Sequence, residues 1–320
     1  MPLRRLNHDA YKVGWICALE IEQIAAMEML DEEHEPLPQP ENDTNIYSLG
    51  SINDHNVIIV GLPSMGNCSA ATVVTQMKMT FPNLKYGLLV GIGGGVPIET
   101  DAGMIRLGHV VVSKPTGIHP GVIQYNHGDA MLGILERGGA LAPPPIVLLN
   151  AAREMAVRRH RREYDPIWEN TKRIPTGRRA LRRFGFPGAD KDHLYQPHYE
   201  HQRKAMSCQE SGCDPRQRIE RQIDEEDDSY IVVHRGTIAS GGLVIADAQK
   251  RDSLAQEHGL LCFEMEAAGV LNNLPCLVIR GICDYCDTHK NDVWHGFAAA
   301  AAAAYARQLF FHLPIQEAQR

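Results

Sequence analysis

Residues 276–287 read CLVIRGICDYCD, and residues 86–96 read YGLLVGIGGGV. Each begins as an unbroken apolar run with no alternation of polar and apolar residues. Such runs are strands covered on both faces. They end differently. Cys276 to Ile282 leads into Asp284, whereas Tyr86 to Ile92 ends in a cluster of Gly91 and Gly93 to Gly95. A third run, Lys12 to Ala18 (KVGWICA), passes straight into Leu19 to Leu30, where Leu19, Ile21, Ile24, Ala25, Met27 and Leu30 recur at helical spacing. Buried strands alternating with helices predict an α/β fold with a largely buried sheet.

The flanking segments extend this pattern. Ile46 to Ile52 and Asn56 to Leu62 read as strands joined by a hairpin turn at Asn53-Asp54. Ser69 to Met79 reads as a helix that stops near Pro82. His109 to Ser113, Val122 to Tyr125 and Ser229 to Ser240 are strand-like. Asp247 to His258 and Glu264 to Leu271 read as helices, and Trp294 to Phe311 is an Ala-rich helix, Ala being the best helix former. The middle differs. Residues 153–183 hold ten Arg and one Lys, residues 224–228 read DEEDD, and strand-like runs are scarce. Residues 140–228 are therefore expected to be a partly helical insertion within one domain spanning 1–320.

Composition narrows the function. The chain has 320 residues, 44% hydrophobic and 22% charged, which excludes a wholly disordered protein. Lys+Arg 32 against Asp+Glu 39 gives −7, without the basic surplus of a nucleic-acid binder. The longest apolar run, Phe297 to Ala306, is about half the ~20 residues of a membrane-spanning helix. Met1 to Ala10 is polar and unlike a signal peptide. The eight cysteines, with Cys17, Cys262, Cys276 and Cys283 in apolar segments, are expected to be reduced thiols of a cytoplasmic protein.

Chemistry collects at the strand ends. The glycine cluster lets a ligand approach backbone N–H groups. It matches neither the dinucleotide fingerprint, because Val96 stands at its sixth position, nor the P-loop, because no Gly-Lys-Ser/Thr follows. Glu20 and Glu22 follow the first strand, Glu264 and Glu266 flank Met265 at a helix start, and Asp284 follows the strand that holds Arg280. An arginine within a buried strand is costly unless paired, so Arg280 is expected to face a polar site. Ligand sites in open α/β sheets lie at the carboxyl ends of strands, which points to one shared site.

WICALEIEQ, LLVGIGGGVP, TIASGG, CFEMEAAG and VIRGICDYCD occur in this order. They resemble the nucleoside phosphorylase/nucleosidase superfamily, which includes purine nucleoside phosphorylase and methylthioadenosine/S-adenosylhomocysteine nucleosidase. The likeness is strongest to a fungal branch often fused to NLR-like signalling proteins, and it covers roughly residues 11–125 and 230–312. It implies a three-layer α/β/α fold around a twisted mixed sheet, cleavage of a ribose–base bond, and no cofactor. It implies that Glu22 positions or deprotonates water, and that Met265 and Glu266 pack on the ribose and bind its hydroxyls. It implies that Asp284 protonates purine N7, that Arg280 lies near the water, and that Gly91, Gly93 and Gly94 lie beside the sugar. Glu264 belongs to the same constellation.

Hydrolysis is the favoured reaction. Related phosphorylases carry an arginine before the glycine turn, where this chain has Leu88-Leu89-Val90, whereas Glu22 suits water. Ile92 and Cys283 stand where related nucleosidases have serines, and Val244 or Ile245 where an aromatic is expected near the base. The implied substrate is a purine ribonucleoside such as adenosine, inosine or guanosine, acted on by a homo-oligomer, with a dimer favoured. No nucleic acid or membrane partner is expected. A nucleotide of the ATP type is the alternative, with arginines of 153–183 reaching its phosphates; phosphorolysis is another. His193, His198, His201, Cys208 and Cys213 include zinc-type ligands, with Cys-x4-Cys spacing and an undefined fourth ligand. The expected catalytic site holds no metal. Any zinc at His198, His201, Cys208 and Cys213 would be structural.

Overall fold

A computed structural model describes residues 3–125, 140–201, 206–221 and 230–315, with the backbone alone of 129–131 and 134–136. The acidic run 224–228 lies outside these residues.

Strand β1 (Val13–Cys17) sends Val13, Trp15 and Cys17 to one apolar core and Ile16 to another. This is the two-residue period of a strand buried on both faces. Helix α1 (Glu20–Met27) follows, then the short β2 (Glu32–Glu33). Strands β3 (Tyr47–Ile52) and β4 (His55–Gly61) form a hairpin whose two turn residues, Asn53 and Asp54, have φ of 44° and 64°. That is the left-handed pair a two-residue hairpin turn demands, and Asn and Asp tolerate it. Helix α2 (Asn67–Thr80) precedes β5 (Tyr86–Gly95). Next come β6 (Glu99–Thr100), β7 (Gly103–Met104), β8 (Val110–Ser113), β9 (Val122–Gln124), β10 (Asp129–Met131) and β11 (Ile134–Glu136). The middle of the chain carries α3 (Ile146–Arg159), α4 (Pro166–Thr171) and the one-turn α5 (Cys208–Ser211). The chain closes with β12 (Val233–Ser240), α6 (Ala248–His258), β13 (Leu260–Glu264), α7 (Ala267–Val270), β14 (Cys276–Asp284) and α8 (His295–Phe310).

The central sheet runs β13-β12-β8-β14-β5-β1-β4-β3-β2, with β9 on β12. It is mixed: β5 is parallel to β1 and β14, whereas β8 is antiparallel to β14. Strand β13 also pairs antiparallel with the end of β5, curling the sheet back on itself. Helices α1, α3, α4 and α8 share one core with the sheet, and α2 and α7 share the other. The architecture is thus α/β/α around a twisted mixed sheet. Helix α8 is buried from Gly296 to Phe310. Its alanines serve close packing as well as propensity: a Cβ at Gly281 of β14 would overlap the Ala298 carbonyl, so helix backbone rests directly on strand.

Two expectations need correction. The glycine cluster is not a turn after β5 but its continuation, with Arg280 opposite Gly91, Asp284 opposite Gly94, and Phe263 of β13 also opposite Gly94. The strand persists because only glycine fits between the side chains that cross it. A Cβ at Gly91 would overlap the Glu22 carboxylate and the Arg280 guanidinium, and one at Gly94 would overlap Cys286 Sγ. Second, Glu264 does not begin a helix. It ends β13, a five-residue strand that starts after Gly259, the left-handed cap of α6 (φ 62°), and only Ala267–Val270 is helical.

Candidate active site

The carboxyl ends of β1, β5, β13 and β14 surround a cavity of about 260 Å³ that opens to solvent. Nine of the sequence-predicted residues line it: Glu22, Gly93, Gly94, Val244, Ile245, Glu264, Met265, Glu266 and Asp284. Gly91 and Arg280 are not in the lining; they lie directly behind it. Arg280 does face a polar site, the buried carboxylates, as its place in a buried strand requires. Its side chain is 1% exposed and stands behind the carboxylates.

Each acid is held by backbone. Glu22 is the third residue of α1 and reaches back over the helix start, where Oε2 accepts from Ala18 N at 2.7 Å and Leu19 N at 3.0 Å. Its Oε1 accepts from Ile92 N at 2.7 Å, which joins the first helix to the glycine strand. Glu20, by contrast, points to solvent. Glu264 Oε2 accepts from Glu266 N at 3.1 Å and Ala267 N at 3.0 Å, satisfying N–H groups at the start of α7. Glu266 Oε1 accepts from Gly66 N at 3.1 Å.

The three carboxylates converge on one guanidinium. Arg280 Nη2 donates to Glu264 Oε2 and lies 3.2 Å from Glu266 Oε2, while Nη1 is 4.0 Å from Glu22 Oε1. One buried cation thus faces three buried acids. Burial pushes the Glu22 carboxyl above its usual range, with Arg280 and the backbone donors opposing. Burial pushes Glu266 up to about 7, Arg280 opposing and the other two acids reinforcing. The guanidinium is pinned in its charged form: burial works against the charge, and Glu264, Glu266 and Glu22 outweigh it.

Asp284 lies on another wall. Its Oδ1 accepts from Cys286 N at 2.8 Å, and Lys290 Nζ is 3.2 Å from Oδ2. Cys286, two residues on, has φ of 54°, a strained backbone that turns the chain sharply after the strand. Cys283, Asp284 and His295 place ligand-type atoms within 4.8 Å of one another. Lys290 already balances Asp284, and burial pushes the Cys283 thiol well up, so this trio suits a neutral base edge better than a cation.

Sequence reasoning missed Phe263, Lys290, Asn291, Asp292 and His295, all of which line the cavity. A lysine six residues after a strand-end aspartate was the available signal for Lys290. Phe263 supplies an aromatic face where none was expected, packed edge-on against Tyr125 with centroids 5.6 Å apart. No lining residue comes from 153–183. Instead Arg159 is buried against Asp165 and Arg173 pairs with Asp31, so the idea that this arginine run reaches a ligand's phosphates gains no support. Of the zinc candidates, His201, Cys208 and Cys213 come together, but the fourth member is His289; His198 is exposed and outside the group.

The family model of the phosphorylase superfamily matches residues 174–310. An NLR-like protein of Hyaloscypha variabilis is 41% identical over 306 residues, covering 95% of this chain and 29% of its own length. The ATP nucleosidase Cap17 of Escherichia coli is 26% identical, covering 80% of this chain and 41% of its own. The chain thus spans well under half the length of these relatives. The futalosine hydrolase of Helicobacter pylori has the same fold, with a TM-score of 0.59 and 18% identity over 95% of this chain and 98% of that one. Residues 174–310 thus match the phosphorylase superfamily, and the chain as a whole shares the fold of the futalosine hydrolase.

Proposed function

We propose that this cavity hydrolyses the N-glycosidic bond of a purine ribonucleoside such as adenosine, inosine or guanosine, releasing base and ribose. The observation that carries the reading is the pairing of two walls: Glu22 and Glu266 anchored on buried Arg280, and Asp284 with Lys290 across the cavity. As a purine leaves, positive charge builds on the sugar and negative charge on the base. Carboxylates beside the sugar stabilise the first, as in glycoside hydrolysis generally. A proton delivered from Asp284 to N7, with the Lys290 ammonium nearby, relieves the second. Glu266 receives the ribose hydroxyls, Met265 packs on the ring, and Glu22 takes a proton from the attacking water.

The same charges disfavour phosphate as the nucleophile. A phosphate near the sugar would face three acids against one guanidinium, and each acid repels it once ionised. Each unit repulsion at 4 Å is about 4 kcal/mol at the effective dielectric near a protein surface. Water meets no such barrier.

The likeness to an ATP nucleosidase supports a second reading, in which the 5′ carbon carries phosphates. A cavity of about 260 Å³ suits base and ribose, so phosphates would extend beyond it toward solvent. Base release from adenosine, inosine, guanosine and ATP, followed by chromatography, separates the readings. Faster release from the nucleosides supports the first; release from ATP alone replaces it with the second.

In this reading the chain is one nucleoside phosphorylase-like domain with 140–228 inserted. Met65, Leu243 and Val244, each more than half exposed at the cavity mouth, support a homodimer in which a second copy covers the rim. Eight free thiols support a reducing, cytoplasmic setting. Sedimentation and fractionation test these two points.

A further inference from the structure

We propose that His201, Cys208, Cys213 and His289 form a structural zinc site that fastens residues 195–201 and 206–218 to the loop after β14. The ligand atoms of these four residues all lie within 4.8 Å of one another. His289 Nδ1 is 3.5 Å from Cys208 Sγ and 3.8 Å from Cys213 Sγ. Tetrahedral zinc with bonds of about 2.3 Å to sulfur and 2.0–2.1 Å to nitrogen places sulfur and nitrogen about 3.6 Å apart. The observed separations bracket that edge.

The local sequence builds this geometry. Ser207 caps α5: its hydroxyl accepts from Glu210 N, and Glu210 reaches back to Ser207 N. Gly212 then adopts φ of 71°, and Cys213 N donates to Cys208 O at 2.9 Å. The chain folds over itself so that both thiols of Cys208-x4-Cys213 face one point, a spacing within the zinc range.

His289 is oriented for the task. Its Nε2 is 3.0 Å from the Tyr199 carbonyl, which can only accept, so Nε2 carries the proton and Nδ1 presents a lone pair to the thiols. A carbonyl on the far nitrogen is the usual support of a metal-bound histidine. The ring is clamped by Tyr195, stacked at 4.0 Å and 13°. Binding is balanced: two thiols release two protons, two neutral imidazoles donate lone pairs, and Zn²⁺ with two thiolates leaves the site neutral.

Three ligands come from the middle of the chain and one from the loop between Asp284 and Lys290. His201 N also donates to Thr288 Oγ1 at 2.8 Å across the same junction. The metal would therefore cross-link segments about 80 residues apart in sequence and steady the loop that carries Lys290. This inference does not depend on the reaction proposed above.

Metal analysis of the purified chain by mass spectrometry should find one zinc per chain. Cys208→Ser, Cys213→Ser and His289→Ala should each lose it, His198→Ala should keep it, and His289→Cys should restore it as a Cys₃His site. Replacement by Co²⁺ in the unmutated chain should give the intense visible absorption of a tetrahedral thiolate site, a readout that needs no variant to fold. The proposal fails if the chain is zinc-free and Co²⁺ gives no such band. It fails if the thiols resist alkylation until reduced, which would mean a disulfide. It fails equally if His289→Ala retains zinc while His198→Ala loses it.

Discussion

Glu266→Gln should flatten the pH dependence of stability. The Glu266 carboxyl is pushed from 4.5 to about 7, chiefly by burial. The folded state therefore holds this proton more tightly than the unfolded chain does. Between those two pH values the native state carries more protons, so its stability falls as pH rises through the window. A shift of about 2.5 units at about 1.4 kcal/mol each gives roughly 3 kcal/mol less stability above pH 7 than below pH 4.5. Glutamine keeps the shape and cannot ionise, so the variant should lack this component. The assay is urea unfolding at pH 5 and pH 8 at constant ionic strength. The wild-type loss between the two should exceed the variant's loss by about 2–3 kcal/mol, most of the linkage figure, because pH 5 already lies above the unfolded value. Equal losses would refute the claim that Glu266 is held protonated by its surroundings. The same variant should bind substrate poorly above pH 7, where Glu266 of the wild type is the carboxylate that receives the ribose hydroxyls.

Two further outcomes follow from the geometry. Asp284→Asn should cut kcat for purine release by about 10²–10⁴-fold with an unchanged circular dichroism spectrum, since Asn can accept the Cys286 N–H but cannot deliver a proton; near-normal kcat would sink the N7 role. Arg280→Met should destabilise the fold by about 3–5 kcal/mol, because it leaves three carboxylates buried without a cation; a thermal midpoint equal to wild type would show that the carboxylates are not held by it.

Much of the site was legible because its residues sit at strand ends. Apolar runs marked β1, β5 and β14, and the acids after them fell where α/β sheets place ligands. Arg280 was readable from cost alone: a charged residue in a buried strand implied partners, and the structure supplies three. Periodicity could not show where the glycine strand ended. Glycine usually breaks strands, and here it continues one because side chains of Glu22, Arg280 and Asp284 need the space. Strand β13 was hidden because its four apolar residues and Glu264 merge with the helical signal on either side. Lys290 and His289 belong to an irregular loop and His295 opens α8, and their side chains are aimed by contacts far off in sequence. His289 meets Cys208 and Cys213 only after the middle of the chain folds back. No spacing rule within residues 193–213 reaches it.

The reaction proposed for this cavity is hydrolysis at a Glu22-activated water. Its most direct test is incubation of a purine nucleoside with the protein in phosphate-free buffer, with both products identified. Free base and free ribose are expected in equal amounts, with no stimulation by added phosphate and no release by Glu22→Ala. Because burial raises the Glu22 carboxyl, activity should fall on acidification at a pH above the usual carboxylate range. Base release that requires phosphate and yields ribose 1-phosphate, or full activity in Glu22→Ala, would contradict it.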